Sequence, residues 1–404
     1  MEETNQDNEV IGMDAHSRKL SLCHMRRAGG KLVKVKTVAT TLEALESTYA
    51  RQMPPGALTV LEASGNSFSI VRRLNAIGRR AKVLNSDVLS GLSREDRVND
   101  RIDAENLARV YLNRIDGLRE VFTPSEAGVE MRETLFAYRD ARKDTTRAAN
   151  RIWAFCSRHG LDVDSRMSKK RCKELLAEAK RRGWAAPLFE RMEGLTQGWE
   201  RAMEVCNGVE KTIERAVFKD ERTRRLQQVP GVRSIGAFAL VAFVEDIRRF
   251  DNPKKLVSYI GLNPSVSVSG EKEGRRGVSD FGRGDLKSLF VEAAQSAMRT
   301  DSPMTRWARH LLAEGKEWNK VMVALARKLV VLCWHILMGH PTPNREREAS
   351  TAAKLVRLAH QVGKEFVRES GYSSADEFAE AECSKLYGHL PEEQAGKVAV
   401  CVSA

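Results

Sequence analysis

The chain is 404 residues long, 42% hydrophobic, and carries a formal net charge of +13. That length suggests two or three domains with sizeable cores, and the basic excess favours a polyanionic partner. No apolar run reaches the roughly 18–20 residues needed to span a bilayer and the polar start MEETNQDNEV does not read as a secretory signal, so nucleic acid fits better than a membrane. In chain order, residues 9–27 read as two short strands, around 10–13 and 20–25, and KLVKVKTV at 31–38 alternates apolar and basic like a half-exposed third strand. Thr40-Thr41-Leu42-Glu43 reads as opening a helix that runs to about Gln52, where Pro54, Pro55 and Gly56 end it. A fourth strand covers 57–62, a helix follows with Phe68, Val71 and Leu74 on one side, and a fifth strand covers 81–85.

Four carboxylates punctuate this region. Val10, Ile11 and Met13 lead into Asp14, and Leu58, Val60 and Leu61 lead into Glu62. Asp100 and Asp103 are an i, i+3 pair at the start of a helix, so they share a face. Clustered carboxylates repel one another unless a cation neutralises them. Two hard divalent cations about 4 Å apart are a common solution in phosphodiester chemistry, because they stabilise both the attacking and the leaving oxygen. His16 sits near Asp14 but reads as a lone structural or solvated histidine, and Glu105 as a solvent-facing helix residue.

From 129 to 222 the chain is rich in Arg, Lys, Glu and Ala without strand signals. Helices are expected over the first part, then about 169–182 and 187–218, with a reversal at 158–161. Leu135, Tyr138 and Ala141 line one face, while Lys143, Arg147 and Arg151 form a basic stripe at i, i+4, i+8. Such a stripe is either a solvated surface or a track for a phosphate backbone. At Val229-Pro230-Gly231-Val232 the composition turns apolar. The turn at Gly231 reads either as the tip of a helix-hairpin-helix presenting N–H groups to a phosphate or as an ordinary helix start. A short helix at 255–260 precedes a Gly/Ser-rich loop running to Gly284. Apolar-periodic helices at 286–299 and 318–338 follow. After Pro341 and Pro343 the chain becomes polar and reads as an appendage. The seven cysteines are scattered and form no C-x-x-C pair, which argues against a zinc knuckle or a disulfide framework and fits a reducing cytoplasm.

Three segments carry a family resemblance. They are DRIDA-x-x-LA from Asp100 to Ala108, G-L-x-P-x4-S-G at Gly261, Leu262, Pro264, Ser269 and Gly270, and Lys320-Val321 followed by Ala326-Arg327-Lys328-Leu329. With the four carboxylates, in this order and spacing, the chain resembles the DEDD transposases of bacterial insertion sequences from about Val10 to about Gly339. It departs at Asp280, where a Lys is usual after Val278-Ser279, and at Asn99, where a Thr is common before Asp100. The resemblance implies an α/β RNase H-like (RuvC-like) DEDD domain over 1–128, a helical coiled-coil region over 129–222 and a mainly α-helical transposase domain over 223–340. It says nothing of 341–404. It further implies a bacterial cytoplasmic transposase that cuts and rejoins DNA using Mg²⁺, or Mn²⁺ in its place, held by Asp14, Glu62, Asp100 and Asp103. Ser269 would attack the DNA phosphate and hold it as a phosphoserine.

Composition alone does not choose among Ser265, Ser267, Ser269 and Ser279; Ser269 is selected by its place after Pro264 and before Gly270. With no His nearby, its weak hydroxyl would need a carboxylate, metal-bound oxygens, or Arg275 or Arg276 orienting the phosphate; the basic contact missing at Asp280 is either lost or moved to Arg275, Arg276 or Arg283. The resemblance also implies a guide (bridge) RNA and a site shared between protomers of a dimer or tetramer. Two other readings stay open. One is a RuvC-like junction-resolving nuclease in which water attacks, the other a catalytically silent RNA- or DNA-binding protein.

Overall fold

The computed structural model describes residues 8–85, 100–113, 119–162, 166–269, 272–278, 282–340 and 347–388. The chain divides into two compact units, Met1–Ser125 and Glu126–Ala404.

The first unit is built on a mixed sheet. Its elements are β1 (Glu9–Ala15), β2 (Lys19–Ala28), β3 (Lys31–Thr41), α1 (Leu45–Gln52), β4 (Leu58–Glu62), α2 (Ser67–Ala76), β5 (Ala81–Leu84), α3 (Asp100–Leu112) and β6 (Glu120–Val121). The strand order is β3-β2-β1-β4-β5-β6. β1, β2 and β3 form an antiparallel meander, whereas β4 runs parallel to β1 and β5 parallel to β4. Alternation along β1 sorts the core into two layers. Ile11 and Met13 face Leu45, Tyr49, Ile70 and Leu74 of α1 and α2, while Val10 faces Ala104, Leu107 and Ala108 of α3. The Thr-Thr-Leu-Glu segment behaves differently from its helix-opening expectation. Thr40 and Thr41 finish β3, pairing with Leu20 and Lys19, and the Thr41 hydroxyl accepts from the Ala44 N–H before the helix begins at Leu45. β-branched residues beside an existing strand extend it more readily than they nucleate a helix.

The second unit is mostly helical. α4 (Glu126–Arg158) and α6 (Ala186–Lys219) are long, and α5 (Lys169–Arg181) lies between them in sequence. Leu135, early in α4, shares a core with Ile213, late in α6. At the other end Ile152 and Phe155 pack with Met192 and Trp199. The two helices therefore run antiparallel.

The remaining elements are α7 (Glu221–Arg225), α8 (Ser234–Val244), α9 (Pro253–Ile260), β7 (Pro264–Ser269), β8 (Lys272–Val278), α10 (Gly284–Ala297), α11 (Pro303–Ala313), α12 (Trp318–Leu337), α13 (Glu348–Val362), α14 (Lys364–Glu369) and α15 (Ala375–Tyr387). α8 is apolar on every side and is buried from Ala237 to Val244, as a central helix must be. Two findings differ from the sequence reading. The Gly/Ser-rich stretch after Gly261 is a two-stranded hairpin rather than a loop, because Ser265-Val266-Ser267-Val268-Ser269 alternates with period two.

The second difference is at 347–388, read as an appendage, which packs into the main core through Leu355, Leu358, Val362, Phe378 and Tyr387. Phe378 stacks on Phe218 of α6 with ring centroids 4.0 Å apart. The buried Lys354 ammonium donates to the carbonyls of Gln227, Val229 and Val232 at 2.8, 2.6 and 3.0 Å. Burial, with Arg347 and Arg233 nearby, pulls its pKa down to about 7, while the three acceptors favour its charged form.

Candidate active site

The parallel register of β1 and β4 aligns Met13 with Leu61, so Asp14 and Glu62 follow as neighbours at the ends of the two strands. Both lie on the sheet face that packs α3, the face of Val10, Val60 and Leu58. α3 carries Asp100 and Asp103 in its first turn.

Gly12 is what lets this helix approach. A β-carbon there would sit 1.9 Å from the Ala104 carbonyl oxygen and 2.7 Å from the Ala108 nitrogen. The sheet and α3 therefore meet backbone to backbone, two residues before Asp14.

The carboxylates interact electrostatically. Burial raises the pKa of Asp14, with Asp103 and Asp100 adding to the rise and His16 opposing it. Burial, then Asp14 and Asp103, raises Glu62, and burial followed by Asp100 raises Asp103. His16 Nε2 lies 3.3 Å from Asp14 Oδ2 and 3.4 Å from Asp100 Oδ1. One ligand atom each from Asp14, His16 and Asp100 falls within 4.8 Å of the others. Asp14 Oδ2 is buried and accepts no hydrogen bond. A buried carboxylate oxygen that accepts no hydrogen bond and lies among further carboxylates is the donor set that a hard divalent cation satisfies, and the residues present fit one.

His16 is exposed, as the sequence reading allows, and it also bridges two of the acids. The signal for it was only its place two residues after Asp14, since Asp100 is far away in sequence. Gly12 gave no sequence signal. Glu105 is held by Lys34 of β3 and by Arg109, each at 2.7 Å, and the Lys34 hydrogen bond lowers its pKa.

The other candidates lie in the second unit. In the β7/β8 hairpin Ser269 pairs with Lys272 at the tip, Val266 with Arg275, and Ser265 with Arg276. Lys272 is thus the basic residue nearest to Ser269 in register, and Arg275 and Arg276 stand roughly 10–13 Å further along the strand. Gly270, Ser279 and Asp280 lie outside the described residues. Arg283 holds Asp285 at 3.1 Å and stacks 3.8 Å from the centre of the Phe243 ring. The stripe of Lys143, Arg147 and Arg151 is exposed on α4, with Lys143 paired to Asp140 at 3.4 Å and Arg147 to Asp144 at 3.0 Å. Gly231 has φ +73°, and its absent β-carbon would fall 1.9 Å from the Ala293 carbonyl oxygen. Its first role is therefore close packing of the turn on α10.

Comparison with known families decides the matter. A DEDD transposase model of the IS110 type matches residues 11–158, and a model described as "Transposase IS116/IS110/IS902 family" matches 223–308. Together the matches span more than half of the chain, in the order of the two motif groups. The chain belongs to the IS110/IS116 transposase family. Among its relatives, the transposase for insertion sequence element IS1111A of Coxiella burnetii is 25% identical over 359 residues, covering 83% of this chain and 92% of the relative. The transposase for insertion sequence element IS1328 of Yersinia enterocolitica is 21% identical over 330 residues, covering 80% and 95%. As a family member the chain is a transposase of an insertion sequence, and its acidic cluster suits the divalent metal use that DEDD enzymes share. Among the described residues no helix is long and apolar enough to cross a membrane.

Proposed function

We propose that this IS110/IS116-type transposase cuts and rejoins DNA at a divalent-metal site formed by Asp14, Glu62, Asp100 and Asp103, with Ser269 as the nucleophile. The observation that carries the proposal is the electrostatic convergence of Asp100 and Asp103 on Asp14, whose buried Oδ2 accepts no hydrogen bond. The sheet order, with an antiparallel β1–β3 meander followed by parallel β4 and β5, fits the RNase H-like reading of this unit. Asp14 and Glu62 would be held by the strand ends and Asp100 and Asp103 by α3. When bound, Mg²⁺ or Mn²⁺ supplies positive charge against the attacking and leaving oxygens of the phosphodiester.

The chain's own residues do the rest. The Ser269 hydroxyl forms a new P–O bond as the deoxyribose oxygen leaves; its proton passes to a nearby base or water, and the leaving oxygen takes a proton from solvent. A hydroxyl of another strand reverses these bonds and frees the serine, which rejoins DNA without net hydrolysis. Ser269 stands at the last described position of β7, in register with Lys272 of β8. The excess of +13 favours nucleic-acid binding. In this reading a guide RNA supplies target choice, and a dimer or tetramer combines the acids of one chain with the serine of another.

The test is strand cleavage by Asp14→Ala, Glu62→Ala, Asp100→Ala and Asp103→Ala in Mg²⁺. Each is expected to lose cleavage and keep nucleic-acid binding, because these groups hold metal rather than read sequence. Near-normal cleavage by two or more of them overturns the metal-site assignment.

A further inference from the structure

A cavity of about 780 Å³ opens in the second unit between α4, the Pro230-Gly231 turn with the start of α8, and α10. Its wall carries the half-buried rings of Phe136 and Tyr138, and its rim carries Arg142, Arg233 and Arg299, all exposed. Among the described residues these three arginines form no ion pair, unlike Lys143 and Arg147 on the same surface. The first N–H groups of α8 also border the cavity at Ile235 and Gly236, and no side chain caps them. Glu292 of α10 stands on the same wall.

We infer that this cavity takes one unpaired nucleotide of a single-stranded segment. Its volume suits a nucleotide-sized ligand and is too small for a duplex. A base has two π faces that stack on aromatic rings, and unpaired nucleic acid is held by such rings together with basic grooves. Phe136 and Tyr138 supply the rings. The arginines and the open start of α8 supply donors for the 5′-phosphate. Two carboxylates line the cavity: Asp285 is neutralised by Arg283 at 3.1 Å, and Glu292 can accept a hydrogen bond from the exocyclic amine of a base. Tyr138 stays a neutral donor, since burial pushes its pKa up to about 12. Gly231 and Ala293 both line the cavity, and a β-carbon at Gly231 would fall 1.9 Å from the Ala293 carbonyl oxygen. DNA and RNA share this chemistry. The inference stands on the cavity alone and is independent of which group attacks a phosphodiester.

The experiment measures binding of a fluorescein-labelled 12-nucleotide single strand by anisotropy, as DNA and as RNA of the same sequence, with the matching 12-base-pair duplex as comparison. Arg142→Gln with Arg233→Gln, and separately Phe136→Ala, are expected to weaken single-strand binding about tenfold and duplex binding far less. The source is DNA or RNA according to which single strand loses more. A 5-iodouracil-substituted strand, irradiated on the full-length parent protein, is expected to crosslink to Tyr138 or Phe136, so the claim stays testable if Phe136→Ala fails to fold. Equal losses for single strand and duplex, or single-strand affinity within twofold of the parent in the arginine variant together with crosslinks only elsewhere, overturn it. Cleavage is not a readout here, so failure of the cavity and failure of the active-site proposal are distinguishable.

Discussion

Gly12→Ala is the sharpest mechanical perturbation of the candidate active site that substitutes none of its carboxylates. The added β-carbon would lie 1.9 Å from the Ala104 carbonyl oxygen, whereas such carbons keep at least 3.0 Å from other atoms. Because both partners are backbone, no flexible side chain can yield, so α3 must lift from the sheet by roughly 1 Å. Overpacking of this kind costs about 1–3 kcal/mol of stability. The ordering that alanine imposes on the unfolded chain returns less than about 1 kcal/mol of it. The lift carries Asp100 and Asp103 away from Asp14 and Glu62. A misplacement of about 1 Å can lower a rate by about 100-fold. Cleavage of a labelled duplex carrying the element's end, in Mg²⁺, reads the rate, and thermal melting by circular dichroism reads the stability. Gly56→Ala serves as control, because nothing lies within 4 Å of a β-carbon there. If folded Gly12→Ala cleaves within about threefold of the parent, the close approach at Gly12 does not set the site's geometry.

Two further outcomes are expected. Glu214 in α6 is buried and its pKa is raised to about 7 by burial and then by Glu210. A carboxyl whose folded pKa exceeds its unfolded one costs stability that appears as pH rises from about 4.5 and is complete above about 7. Glu214→Gln should therefore stabilise the protein by about 2–3 kcal/mol at pH 8 and by nearly nothing at pH 4. Equal melting shifts at the two values would show that Glu214 is not desolvated. Changing Lys143, Arg147 and Arg151 together to Gln should weaken duplex DNA binding and flatten the slope of log affinity against log salt by about 3. An unchanged slope returns the stripe to a solvated surface, as its pairs with Asp140 and Asp144 allow.

Much of the acidic site was legible because short apolar runs end on Asp14 and Glu62, and because an i, i+3 spacing puts Asp100 and Asp103 on one face. What escaped depended on distant chain segments. His16 needs Asp100 beside it to be anything but a solvated side chain. Gly12 matters only through the backbone of α3, which no local pattern reveals. The strand at Ser265–Ser269 was visible in its Val/Ser alternation, but Ser and Gly composition pointed to a loop. The C-terminal helices carry apolar residues at Leu355, Leu358 and Val362, a helical period obscured by the preceding prolines, and the anchoring of Lys354 on three distant carbonyls is a tertiary fact. Ser269 and its hairpin partner Lys272 follow the opposite course. The motif singled out Ser269, and only the strand register singled out Lys272.

The central claim is that a serine of this chain carries the broken strand. The most direct measurement incubates the protein with Mg²⁺, duplex DNA bearing the element's end and the RNA transcribed from the flanks of its gene, then resolves the products on a denaturing protein gel. A labelled DNA strand migrating with the protein and resistant to boiling in detergent is expected. Its attachment should map to Ser269 by mass spectrometry, persist in Ser265→Ala and Ser267→Ala, and vanish in Ser269→Ala and Asp14→Ala. Cleaved DNA released free of protein, with Ser269→Ala cutting as fast as the parent, contradicts the claim and makes water the nucleophile.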